Sequence, residues 1–142
     1  MADFCDDLEN WFRSRTRITD LVGEGAACRV FPDALKQGCS LPAIHYNEAG
    51  GDSIEHLGGG AGFARTVLHV YSYGATRRAA NQLAEIVKEE MRPYRGMMGS
   101  RFVSGVNCSS HRDTGIDQPQ DNSDAKRYWT RRIYDVWHTE TT

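Results

Sequence analysis

The chain has 142 residues, with 17 Lys and Arg against 19 Asp and Glu, for a formal net charge of −2. That length suits one domain spanning 1–142 with an ordinary core, and 39% apolar with 25% charged residues excludes a disordered chain. No window approaches the roughly 18 consecutive apolar residues of a membrane-spanning helix, the opening is acidic where a secretory signal is basic and then greasy, and the near-neutral balance argues against a dedicated nucleic-acid binder.

The first segment predicts an amphipathic helix. Phe4, Leu8, Trp11 and Phe12 fall on one stripe, with Asp3, Asp6, Asp7 and Glu9 in its first turns and Arg13, Arg15 and Arg17 at its end, as the helix dipole favours. A short second helix over Ile18–Val22 stops at Gly23. Strand-like runs follow: Cys28–Phe31, ended by Pro32, and Leu41–Tyr46, where Pro42 near the start suggests an edge strand. Residues 49–62 hold six glycines and read as a flexible hairpin or loop. Phe63–Tyr73 is the strongest strand signal, with Thr66, Leu68 and Val70 on one side and Val67, His69 and Tyr71 on the other. A second long helix, about Thr76–Met91, carries the stripe Ala80, Leu83, Ala84, Val87 and Met91 and is closed by Pro93. Tyr94–Gly99 reads as a turn. Strands are expected over about Arg101–His111 and Arg127–Thr139, separated by a polar stretch from Asp113 to Lys126 that is long for a hairpin connection.

Helices do not alternate regularly with strands in this order. The expected fold is therefore α+β, a mostly antiparallel sheet with two main helices packed on one face.

Motifs that carry chemistry are absent or incomplete. Leu57–Gly62 lacks the strand before, helix after and Gly-Lys-Ser/Thr ending of a phosphate loop. Cys5, Cys28, Cys39 and Cys108 show no Cys-x-x-Cys spacing and read as reduced, buried thiols. Cys108 and His111 have ligand-like spacing but no second pair to complete a tetrahedral site, and His69 and His138 read as hydrogen-bonded strand histidines. Ser109 and Ser110 lack a nucleophile elbow. Asp113, Asp117, Asp121 and Asp124 fail the alternating-ligand pattern of a calcium loop. No cofactor, metal or catalytic set is expected. The basic residues Lys126, Arg127, Arg131 and Arg132 stand among Tyr128, Trp129 and Tyr134, a pattern that fits either a half-exposed interface strand or a sheet for single-stranded nucleic acid.

Taken together, the opening helix, Ile18-Thr-Asp-Leu-Val-Gly23, Arg29-Val-Phe-Pro32, Leu41-Pro-Ala-Ile-His-Tyr46, Thr66-Val-Leu-His-Val-Tyr-Ser72 leading into the helix to Met91, Tyr94-Arg-Gly-Met97 and Arg131-Arg-Ile-Tyr-Asp-Val136 resemble the tail-terminator or tail-completion proteins of long-tailed bacteriophages. The resemblance covers nearly the whole chain. It implies a structural virion subunit and not an enzyme. Such a subunit forms a homohexameric ring that caps the tail tube and joins it to the head-side connector, with DNA only passing through its channel. The implied partners are a second copy, the tail tube protein and the head-completion protein, and no membrane; the implied place is the tail neck, assembled in the host cytoplasm. One or both of the loops 50–62 and 113–126 are expected to order on contact with tube or connector. Their candidate interface residues are Asp52, Ile54 and His56 in the first and Asp113, Asp117, Gln120, Asp121 and Asp124 in the second, with Arg127 and Arg131 beyond it. Two other classes compete. One is a small single-stranded nucleic-acid-binding α+β module using the Arg127–Tyr134 strand; the other is a Cys- or His-based enzyme with one unusually reactive thiol.

Overall fold

The computed structural model describes residues 4–36, 38–56, 59–117 and 126–139, with the 52–62 stretch described as backbone only. Two helices open the chain, α1 (Phe4–Ser14) and α2 (Thr16–Val22), and a 3₁₀ turn at Gly25–Ala27 leads into β1 (Val30–Pro32). The long strands β2 (Ala43–His56) and β3 (Gly59–Gly74) precede α3 (Arg77–Met91). The chain closes with β4 (Gly96–Met98), β5 (Arg101–Asp117) and β6 (Arg127–Thr139). The six strands form one sheet in the order β1-β2-β3-β6-β5-β4. Only the short β1–β2 pairing is parallel. The α+β architecture with helices on one face is as expected.

Each helix follows from its apolar period. Phe4, Leu8, Trp11 and Phe12 of α1 are buried, as are all five residues of the α3 stripe. Thr76 caps α3 by accepting from the Ala79 N–H at 3.1 Å. The helices meet the inward side chains of alternate strand residues: Ile44 and Tyr46, Leu68 and Val70, Tyr134 and Val136, Val103 and Val106. The first helix packs on both β1 and β4, strands near opposite edges, so the sheet curls about it. One buried ion pair locks that closure. Arg101 Nε donates to Asp7 Oδ2 at 2.8 Å, with both side chains almost fully buried. Gly99 lies so close that a Cβ there would overlap the Asp7 carboxylate, and its φ of 62° favours glycine independently.

The structure decides one alternative and corrects three expectations. Of the two alternatives for residues 49–62, the described ones form the hairpin: β2 and β3 pair antiparallel to the rung His56↔Gly59. Glycine weakens a strand without forbidding it, and here the Thr66-to-Tyr73 half is anchored between two neighbours. Pro42 does not mark an edge strand. It precedes β2 in a cis peptide with Leu41, outside the ladder, while β2 is flanked by β1 and β3. The polar stretch beginning at Asp113 continues β5 to Asp117, which pairs with Arg127, so its first residues are ladder and not connection. The reading of Tyr94–Gly99 as a turn also missed β4, which is too short for an alternation to register.

The register places the two long hairpins at opposite ends of the sheet. Beyond the rung Phe63↔Thr139, residues Gly59–Gly62 pair with β2 alone among the described residues, so the β2–β3 hairpin overhangs the described ladder at one end. The described β5–β6 ladder ends at the other, at Asp117↔Arg127 beside Gly74 and the start of α3. Between them the β3–β6 ladder is unbroken from Phe63 to Gly74, whereas β2 and β5 each carry register shifts.

Candidate interface surfaces

Alternation along β6 separates two faces. Thr130, Tyr134, Val136 and His138 are buried toward the helices; Arg127, Trp129, Arg131, Ile133, Asp135 and Trp137 stay half-buried on the reverse face. On that open face the register aligns His45, Tyr71, Arg131 and Asp113 in one row. His45 stacks on Tyr71 with ring centroids 4.2 Å apart, and Tyr71 meets Trp129 edge-on at 5.4 Å. Burial pushes the His45 imidazole down to about 4, against smaller opposing pulls from Asp117 and Asp33, so it is neutral at physiological pH. Trp129 lies over Gly115, where a Cβ would fall 2.2 Å from the ring. That close approach requires glycine.

The candidate residues fall into separate places. Asp113 forms an ion pair with Arg131 and also bonds His111 Nε2 at 2.7 Å. Arg127 sits 4.0 Å from Asp117 and 5.9 Å from the Tyr73 ring centroid. These acids and arginines are thus brought together as cross-strand pairs at the β5–β6 end. Arg132 points to the helix face, 3.9 Å from Glu85, so the basic cluster is split between faces. Asp52, Ile54 and His56 are strand residues of the overhanging hairpin at the other end. Gln120, Asp121 and Asp124 lie outside the described residues.

His138 is buried, with Nδ1 2.8 Å from the Thr139 carbonyl and Nε2 2.8 Å from the Thr66 hydroxyl. The carbonyl accepts only, so Nδ1 carries the proton and Nε2 accepts from Thr66. His69 is half-buried, its pKa lowered by burial first and by Arg131 second, and it makes no ring hydrogen bond among the described residues, unlike the expectation. Of the cysteines only Cys28 is buried; Cys5, Cys39 and Cys108 are intermediate, with Cys5 and Cys108 packed against the margin of the core. Burial pushes the Cys28 and Cys108 thiols up, away from the thiolate. Among the described residues no three potential metal ligands converge, and no helix is long and apolar enough to cross a membrane.

One feature escaped the sequence reading. Phe63 on β3, Phe102 on β5 and Met97 on β4 are exposed by 43%, 45% and 59%. Phe63 pairs with Thr139, whose hydroxyl accepts from the Phe102 N–H at 3.0 Å, and Phe102 pairs with Met97. They therefore form one exposed apolar row across the end of the sheet from which the β2–β3 hairpin projects. Parity alone predicts that these side chains share a face; only the register shows that they share a level.

The described residues thus combine an α+β core, two long hairpins running to opposite ends of one sheet and an exposed apolar row at one of those ends. The chain belongs to the family described as "Tail completion protein gp17", which it matches over residues 7–118. No curated protein sequence matches it. Among solved structures it is similar to a chain described as "Virion of native gene transfer agent (GTA) particle", with a TM-score of 0.61 and 12% identity over 94% of this chain and 92% of that one. That likeness shows a shared fold. The protein is accordingly a phage-type virion component associated with the tail.

Proposed function

We propose that copies of this chain form a ring at the end of the tail tube, stop its polymerisation and join the tail to the head connector. Assembly takes place in the host cytoplasm, and DNA passes through the centre without being bound. The observation that carries this reading, beyond family membership, is the placement of the two hairpins at opposite ends of one sheet. A joining protein needs two separate contact surfaces, and a stiff sheet holds them apart. The candidate residues divide accordingly: Asp52, Ile54 and His56 serve one end, and Asp113, Asp117, Gln120, Asp121, Asp124, Arg127 and Arg131 the other. A net charge of −2 suits a channel through which DNA slides.

The test is negative-stain imaging of the purified protein over a concentration series, alone and with tail tubes. Six-fold rings with an open centre, free or seated on tube ends, are the expected result. A monomer that also ignores tube ends overturns the reading. Replacing residues 118–126 by Asn-Gly keeps the Asp117↔Arg127 rung and closes it with a two-residue turn. The expected product is a folded subunit that caps or joins poorly; unchanged capping and joining removes that hairpin from the interface.

The nucleic-acid reading uses Arg127, Arg131 and Trp129 of β6. Two aspartates offset those arginines in cross-strand pairs, which lowers the net positive field that a phosphate backbone requires. Salt-sensitive binding of a single-stranded oligonucleotide, lost in Trp129→Ala, would revive it.

A further inference from the structure

The two margins of the sheet at its apolar end differ in charge. On one side, the β2 segment from Asn47 to His56 carries Glu48, Asp52 and Glu55 and neither Lys nor Arg; Arg65 of β3 stands opposite Asp52, so the net negative charge of this margin rests on Glu48 and Glu55. On the other, Arg92 and Arg95 lead into β4, both exposed and neither in an ion pair among the described residues, with Arg92 bordering a hollow that Glu85, Lys88 and Glu89 also line. The two margins also stand at one height. A single row of paired residues runs Gly96–Val103–His138–Ala64–Ser53 across the sheet, so β4 is level with the part of β2 that enters the overhang. Met97 and Phe102 are exposed on the basic margin. Opposite them, the overhang contributes Gly59, Gly60, Ala61 and Gly62, about 13 Å of backbone without bulky side chains.

We propose that adjacent copies meet head to tail through these margins: the acidic β2 margin of one copy docks on the basic β4 margin of the next, and the glycine-rich overhang covers Met97 and Phe102. The inference rests on the ring reading above and names its lateral contact. Like margins repel, so a two-fold pairing of β4 with β4 or of β2 with β2 is disfavoured. An interface joining two different patches repeats in one direction and closes when its rotation permits. Aromatic cover of bare glycine backbone already occurs within the subunit, where Trp129 lies on Gly115.

The experiment reverses each margin separately in the full chain. One variant carries Arg92→Glu with Arg95→Glu; the other carries Glu48→Lys with Glu55→Lys. Mass is followed by light scattering and sedimentation, alone and on tail tubes. Each variant by itself is expected to need about a hundredfold more protein to assemble than the unmodified chain. An equimolar mixture of the two restores opposite charges at every junction, so assembly is expected to recover with alternating subunits. Recovery also shows that both variants fold. If each variant assembles like the unmodified chain, the margins are not the junction and the proposal falls while the ring stands. If both keep their rings but lose tube ends, these margins face the tube and the proposal falls as well. If the unmodified chain forms no oligomer under either condition, the ring reading itself fails.

Discussion

The two faces of the sheet are built from the same strands yet do opposite work. Toward the helices, alternate residues from Leu68 to His138 are sealed, and even the charges there are matched, as Asp7 is by Arg101. On the reverse face, the same alternation yields half-buried aromatics and cross-strand ion pairs, ending in the exposed row of Phe63, Phe102 and Met97. The difference teaches that stability and assembly are separable here by parity along each strand. Changing an inward residue should unfold the subunit; changing an outward one should leave it folded and spoil its contacts.

The harshest way to break that division is to hollow the sealed side. Phe12→Ala should cost about 3–5 kcal/mol, read as a lowered denaturant midpoint with an unchanged slope. Removing one partner of the buried pair, as in Asp7→Ala, should cost a similar or slightly smaller amount, about 3 kcal/mol, because Arg101 is left buried and charged. An Asp7 variant of unchanged stability would show that Arg101 reaches water.

Acid titration sharpens the comparison from the open face. His45 has a folded pKa of about 4, below its ordinary 6.5, so the native state binds fewer protons than the unfolded chain between those values. Stability is therefore complete above about pH 6.5 and declines as pH falls toward 4, by up to about 3 kcal/mol from this group. His45→Phe keeps a ring against Tyr71 and should flatten that part of the acid limb relative to the unmodified protein. A limb of unchanged slope would assign it to the carboxylates instead.

Smaller effects complete the series. Thr76→Ala should cost about 1 kcal/mol by removing the cap of α3. Met97→Ser should shift stability by no more than about 0.5 kcal/mol, since the side chain is exposed, while weakening assembly. A melting-temperature drop as large as that of Phe12→Ala would refute the separation of faces.

Much of the fold is legible in the amino-acid order itself. The stripes of α1 and α3 and the two sides of Thr66–Tyr71 follow from periodicity, which depends on the burial of one element against one core. What stayed hidden depends on register. Gly50 to Gly62 show no hydrophobic alternation, so the hairpin there is specified by backbone pairing that continues outward from Gly51↔Thr66 to His56↔Gly59 and not by side-chain pattern. Asp113 and Asp117 look like loop acids until Arg131 and Arg127 are found directly opposite. The row of Phe63, Phe102 and Met97 joins residues from three strands, and no local signal states which levels align.

The unbroken β3–β6 ladder has a mechanical meaning. Its rungs from Phe63 to Gly74 span about 40 Å along the strand direction. Tension applied between the two ends of the subunit acts along these strands, so the hydrogen bonds are loaded together in shear and not peeled one at a time. The register shifts in β2 and β5 lie to either side, where they permit bending without interrupting that path. The subunit is thus stiff in the direction of pull and compliant across it, like a strap with a hinged margin.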